Sequence, residues 1–225
     1  MRGVLFPDIF KDHVTAFFTG KDPGADTDKI SRILKINKEN IYMPVQQHTD
    51  KVLLVGPSPE PTIADAVITK EKGILIGVRT ADCAPVLIYE KESGVIGVVH
   101  AGWRGTAAGI LRKTVQSIMD RFICGPENFL IAIGPCIKSC CYTVDSDVVR
   151  AVRRETGEGE YYMLKEGKHR LDLPSANKYQ ALSLGVPESN IRVYDECTFC
   201  HPDRYYSYRY SKGITGRQGG FIGKI

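Results

Sequence analysis

Residues 52–99 carry five short aliphatic or β-branched runs: Val52–Val55, Ala66–Thr69, Ile74–Val78, Val86–Tyr89 and Val95–Val99. Each has the composition of a buried strand. The gaps between them are too short for a packed crossover helix, which parallel neighbours normally require. This part of the chain is therefore expected to form a sheet with much antiparallel pairing. Helical periodicity enters on either side. Ile30, Ile33 and Leu34 share a face over 26–36, with Asp26 placed to cap. Thr106–Phe122 is the strongest helical pattern, with Ile110, Leu111, Val115, Ile118, Met119 and Phe122 near a 3.6 period. Val148, Val149 and Val152 mark a helix stopped at Gly157. Asp172 to Leu184 is a further helix, with Pro174 near its first turn and Gly185 after its end. Phe129–Ile133, Ile191–Tyr194 and Tyr205–Arg209 are predicted strands, and "RRETGEGEYY" an exposed loop. The sum is an α/β layered chain, read as a single domain over residues 1–225.

Charge and cysteine usage narrow the function. The net charge of +4 in 225 residues is spread along the chain, so no nucleic-acid footprint is indicated. No run approaches the roughly 20 apolar residues of a membrane span. The opening "MRGVLFPDIF" lacks the apolar core of a secretory signal. Seven cysteines, an odd number that includes the adjacent pair Cys140-Cys141, make a poor disulfide framework. A cytoplasmic location is expected.

Three polar residues stand at strand boundaries. His48 lies in "MPVQQHTDKVLLV", Cys83 in "ILIGVRTADCAPVLIYE", and His100 closes the run in "GVIGVVHAGWRGTAAGI". Loops at strand ends carry site residues over a rigid scaffold. Two imidazoles and a thiolate suit zinc, and three protein ligands leave the fourth position open, as in catalytic sites. The spacing matches no short zinc motif. The residues alone also admit a structural reading, in which the histidines are hydrogen-bonded turn residues and Cys83 a small buried hydrophobe. A third reading makes Cys83 the nucleophile of a cysteine hydrolase, with His48 or His100 as base.

"QQHTDKV", "RTADCAPVLI", "VVHAGWRGTAAGI", "IGPCI", "ECT" and "RYYSYR" occur in this order. Together they resemble the YfiH family, also called the laccase-domain or polyphenol-oxidase-like proteins. The family's usual QVHG reads QQHT here, with Thr49 in place of glycine. The resemblance implies an α/β/β/α sandwich with mixed sheets. It implies a metal on His48, Cys83 and His100, with these three also carrying catalysis. It further implies phosphorolysis of purine nucleosides (adenosine, inosine, guanosine and methylthioadenosine) together with adenosine deamination. Purine nucleosides and phosphate are then the expected partners, and Zn²⁺ the expected cofactor. Cu²⁺ would also bind such a donor set in vitro, since it tops the divalent affinity order. A copper-dependent polyphenol oxidase is the rival that one family name suggests, but a multicopper centre needs many imidazoles and the chain has five His.

Other residues are assigned by chemistry. Phosphorolysis needs an anion cradle, and Arg104 with the helix start after "AGWRG" offers one. Trp103 is read either as a purine-stacking or as a packing residue. Asp82 is either a proton shuttle or a turn former. Arg209 is the best candidate from "YSYRYSKGITGRQGGF", beside Tyr205, Tyr206 and Tyr208. Cys136-x3-Cys140 and Cys197-x2-Cys200 resemble two halves of a structural zinc site, with Cys141 competing with Cys140.

Overall fold

The computed structural model describes residues 3–10 and 13–225. Two mixed sheets stack face to face. The six-stranded sheet runs in the order Ile191–Val193, Phe129–Ile133, Ala84–Glu90, Ile96–Ala101, Ala66–Thr69 and Val52–Leu54. Its central pairings are antiparallel and its two outermost pairings are parallel. The five-stranded sheet runs Val4–Leu5, Thr15–Thr19, Gln218–Gly223, Leu75–Thr80 and Ile41–Tyr42. A small antiparallel sheet holds Thr143–Val144, Lys168–Leu171 and Tyr162–Lys165.

Strand alternation builds the layers. From the six-stranded sheet, Val86, Ile88, Ile131, Ile133, Val99 and Ile68 face one core. Their neighbours Leu87, Leu130, Ala132, Val98 and Val67 face another, where they meet Phe18, Ile76, Val78 and Ile222 of the five-stranded sheet. The far side of that second sheet presents Phe17, Leu75 and Phe221 to Ile30. Helix α1 (Thr27–Leu34) therefore covers one outer face. Helices α2 (Trp103–Ala107), α3 (Ile110–Phe122), α4 (Ser146–Thr156) and α5 (Leu173–Ser183) lie on the other side. The result is the α/β/β/α arrangement.

Several expectations need correction. The helix predicted over Thr106–Phe122 is two helices, α2 and α3, parted at Gly109. That residue has φ 73°, and a Cβ there would lie 2.3 Å from Glu155 Oε1. Tyr205–Arg209 is not a strand but a run of turns. Its backbone finds side chains instead of a ladder. Tyr206 N–H donates to Gln218 Oε1 (2.8 Å), Gln218 Nε2 donates to Tyr206 O (3.0 Å), and Arg209 N–H donates to Asp82 Oδ2 (2.7 Å). The strand around Ile74–Val78 joins the five-stranded sheet, and Val52–Leu54 pairs in parallel with Ala66–Thr69. Arg153–Thr156 of the expected loop belong to α4, which ends at Gly157. Of the described residues, no helix is long and apolar enough to cross a membrane.

Candidate active site

His48, Cys83 and His100 come together where the two sheets' loops meet. Their donor atoms all lie within 4.8 Å of one another. Cys83 Sγ is 3.9 Å from His48 Nε2, and the two imidazoles meet edge to face with centroids 4.8 Å apart. Donor atoms on one tetrahedral zinc stand about 3.3–3.8 Å apart, given bonds of about 2.0–2.3 Å. The cluster thus needs only small closure to hold a single ion, and its two nitrogens and one sulfur suit a zinc-class metal.

Asp65, absent from the sequence-based assignment, organises the cluster. It is fully buried at the start of strand Ala66–Thr69. One oxygen accepts from His100 Nδ1 (2.8 Å) and from the His48 amide (3.0 Å). The other accepts from the Thr49 amide (2.6 Å), the Thr49 hydroxyl (2.8 Å) and the Gln47 amide (3.2 Å). Residues 47–49 therefore wrap around a carboxylate, which helps hold His48 at its unusual φ of 57°. Thr49, where the family motif carries glycine, adds a hydroxyl to that wrap. With Nδ1 committed to Asp65, His100 turns Nε2 toward the cluster, the orienting device common to metal-binding imidazoles. Burial opposes ionisation of Asp65, but the bonds from His100 and Thr49 outweigh it and hold the carboxyl below its usual range. A depressed carboxyl contributes stability that is fully present above about pH 4 and lost as pH falls through its folded-state value. Asp65→Asn is expected to remove that acid-range component and to lower thermal stability, checked by melting curves from pH 3 to 7.

Gly102 makes the cradle possible. A Cβ there would sit 2.8 Å from Cys83 Sγ and 3.2 Å from His48 Cδ2. Its φ of −77° suits any residue, so the requirement is space. Gly102→Ala is expected to displace the thiol and abolish metal retention while leaving the melting curve cooperative, as measured by metal analysis and calorimetry.

Electrostatics tune the donors. Burial raises the Cys83 thiol pKa, yet the His100 and His48 imidazoles bring it down to about 6. Burial lowers that of His100, yet the Cys83 thiolate and Asp65 lift it to about 9. Between these values the pair is thiolate and imidazolium, so an entering cation displaces one proton from it. Below about pH 6 it displaces two. Metal affinity is therefore expected to rise roughly tenfold per pH unit between pH 6 and 9 from this pair, and more steeply below pH 6. Competition titrations at several pH values check the slope.

The cluster lines a cleft of about 720 Å³, within the usual range for small-molecule sites, with His100 buried and His48 exposed. Arg79, Arg104, Arg209 and Arg217 line it. Arg209 Nη1 donates to Thr143 O (3.0 Å), and Arg217 Nη1 donates to Thr215 O and Gly216 O. Among the described residues, Arg79 and Arg104 place their guanidinium groups in no hydrogen bond or ion pair; Arg104 stacks on the Trp103 ring at 4.5 Å. Tyr142 carries Arg209 over its ring at 5.2 Å, and burial raises its phenol pKa, keeping it protonated. Sequence reasoning missed Arg79, Tyr142 and Arg217 as cleft residues.

The remaining assignments resolve as follows. Both carboxylate oxygens of Asp82 are engaged, by Thr198 Oγ1 (2.7 Å) and by the Arg209 amide. It acts as a clamp between loops, and the shuttle reading is set aside. Trp103 packs its partly buried ring on the core and also lines the cleft. The helix after Gly102 spans only five residues, so its dipole makes a weak anion cradle and the arginines remain. Cys136 is buried and stands outside the cluster, although its backbone pairs with that of Cys197; Cys141 joins Cys140, Cys197 and Cys200 in its place.

Over 171 residues the chain is 40% identical to "Purine nucleoside phosphorylase YlmD" of Geobacillus stearothermophilus, covering 71% of this chain and 60% of that protein's length. It is 37% identical over 187 residues to a purine nucleoside phosphorylase of Aquifex aeolicus, covering 82% and 84% of the two. A protein named adenosine deaminase RL5, from an unknown prokaryotic organism, is 30% identical over 78% of this chain and 72% of its own. The crystal structure of YlmD from Geobacillus stearothermophilus superposes with a TM-score of 0.91 at 31% identity, over 99% of this chain and 96% of that one. The YfiH protein of Bacillus licheniformis gives 0.92 at 28% identity, over 100% and 97%. The family described as multi-copper polyphenol oxidoreductase laccase matches residues 23–224, and the chain belongs to that family.

Proposed function

We propose that this chain is a metal-dependent purine nucleoside phosphorylase with adenosine deaminase activity, its metal held by His48, Cys83 and His100. The observation that carries the proposal is one cleft lined both by this donor cluster and by guanidinium groups without protein partners among the described residues. The names of the relatives support both activities. The two-nitrogen, one-sulfur set favours zinc. Although the family's description mentions several coppers, His48 and His100 are the only two imidazoles in either metal-capable cluster among the described residues.

In phosphorolysis, a phosphate oxygen forms a bond to C1′ of the ribose as the C1′–N9 bond breaks. The purine leaves with the bond electrons and takes up a proton, giving ribose 1-phosphate and free base. Arg104 and Arg79 are free to neutralise the phosphate. Tyr142 keeps a hydroxyl proton to donate, and Trp103 and Tyr208 offer aromatic surface to the base. In deamination, water replaces the C6 amino group of adenosine, giving inosine and ammonia. A divalent ion held by His48, Cys83 and His100 would supply Lewis-acid polarisation to the attacking water. Asp65 orients the His100 ring, and the Cys83 thiolate would bring the one negative charge of the donor set. We further read residues 1–225 as one catalytic domain, supported by the family match over 23–224, and a reducing, cytoplasmic setting, supported by its free thiols.

The test is incubation of metal-analysed protein with adenosine, inosine, guanosine and methylthioadenosine, with and without phosphate, and product identification by mass. Free base and the matching sugar 1-phosphate (ribose 1-phosphate, or 5-methylthioribose 1-phosphate from methylthioadenosine) only when phosphate is present, plus inosine from adenosine without it, are expected. No turnover of any nucleoside by metal-loaded protein would overturn the proposal. The lowered thiol pKa beside an imidazole also favours a second reading, Cys83 as a hydrolase nucleophile. Metal content separates the two, because a ligated Cys83 resists alkylation by iodoacetamide until the metal is removed.

A further inference from the structure

Four cysteines outside the cleft chemistry converge beside it. Phe129–Ile133 and Ile191–Val193 are parallel neighbours, so the segments after them leave the sheet at the same end. One carries Cys140 and Cys141, the other Cys197 and Cys200. The two segments are laced together: Thr198 N–H donates to Cys136 O (3.0 Å), and Cys136 N–H donates to Glu196 O (3.3 Å). The four sulfurs lie within 4.8 Å of one another. Cys200 Sγ is 3.3 Å from Cys141 Sγ and 3.7 Å from Cys140 Sγ.

These distances fit a shared ion better than sulfur–sulfur bonds. Thiolates on a tetrahedral zinc, with Zn–S near 2.3 Å, stand about 3.8 Å apart. A disulfide requires about 2.05 Å, and all four thiols are free. The surroundings also suit thiolates. Arg170 Nη1 donates to Ser139 O (3.3 Å) and to Cys140 O, which puts a cation against a cluster that would carry excess negative charge.

We propose that Cys140, Cys141, Cys197 and Cys200 form a second metal site, a tetrathiolate that holds a zinc-class divalent cation in a structural role. On binding, the thiols release their protons to solvent and four metal–sulfur bonds form, with no change of oxidation state. Four protein ligands close the coordination sphere, which separates this site from the open three-ligand cluster. Its place in the fold gives it a job. Thr198 binds Asp82, Asp82 binds the Arg209 amide, and Ile137 N–H donates to Asp82 O (2.9 Å). Tyr142, adjacent to Cys141, lines the cleft. The ion would pin the wall that carries Tyr142 and Arg209.

The test uses the full chain expressed with zinc and purified under reducing conditions. Wild type is expected to retain two zinc ions per chain. Cys83→Ala should retain one, with four thiols that resist modification until a strong chelator is added. Cobalt-exchanged Cys83→Ala should show the intense thiolate-to-metal charge-transfer and tetrahedral d–d bands of four-sulfur coordination. Cys197→Ser/Cys200→Ser should lose those bands and melt at lower temperature. Should the double variant fail to fold, the metal count and the cobalt spectrum of Cys83→Ala still decide. A Cys83→Ala protein without metal, whose four thiols react freely or are found paired as disulfides, would overturn the proposal. The outcome is independent of nucleoside turnover.

Discussion

Cys83→Ala is expected to yield a folded protein that has lost the cleft metal and, with it, turnover by more than about 1,000-fold, the scale of several kcal/mol of Lewis-acid stabilisation. The fold should survive because Cys83 is only half-buried, in the link between Leu75–Thr80 and Ala84–Glu90. The core beneath it is made by Ala84, Val86 and Ile88, which the substitution leaves intact. Zinc analysis, calorimetry and product assays on one preparation check all three parts. Loss of cooperative unfolding together with metal would make this ion structural. Retained turnover without metal would favour chemistry that needs neither.

Arg104→Ala is expected to separate the two reactions. Inosine carries no C6 amino group, so its consumption reports phosphorolysis alone. Adenosine in phosphate-free buffer reports deamination alone. With its guanidinium free of protein partners among the described residues, Arg104 is available to the phosphate. Its loss should impair inosine cleavage by about 2–4 kcal/mol in transition-state terms, roughly 30- to 900-fold. Phosphate-free deamination should suffer far less. Arg104→Lys should recover part of the loss, since it restores a point charge without the fork. Equal damage to both reactions would show that Arg104 supports the cluster or the fold, and the phosphate assignment would fall to Arg79 and Arg209.

The three donors were legible because each is an unexpected polar group at the end of an apolar strand. His100 closes a buried β-branched run, and no packing argument explains an imidazole there. Asp65 was not legible. It opens a strand as His48 and Cys83 flank theirs, yet its work is done by accepting bonds from a loop 16–18 residues earlier and from His100, 35 residues later. Such closure is a property of the folded chain and leaves no local pattern. Strand Gln218–Gly223 hid for a different reason. Three of its six residues are glycine; Gly219 lies under the Val78 carbonyl and the Phe221 ring packs over Gly77. Close packing of the strands excludes the side chains by which strands are recognised. Gly109 sits within an apolar helical period, so the break between α2 and α3 shows only in its backbone. The thiol cluster turned on one residue: adjacency made Cys140 and Cys141 look like competitors, whereas the turn after Lys138 brings both sulfurs to Cys200.

The central claim, one metal on His48, Cys83 and His100 lining the cleft, is tested most directly by anomalous diffraction at the zinc edge from crystals of the zinc-loaded protein. The account predicts a peak bonded to Nε2 of both histidines at about 2.0–2.1 Å and to Cys83 Sγ at about 2.3 Å, with a fourth position open to the cleft. No peak at that position in fully loaded protein, or a peak from which the Cys83 sulfur is turned away, would contradict it.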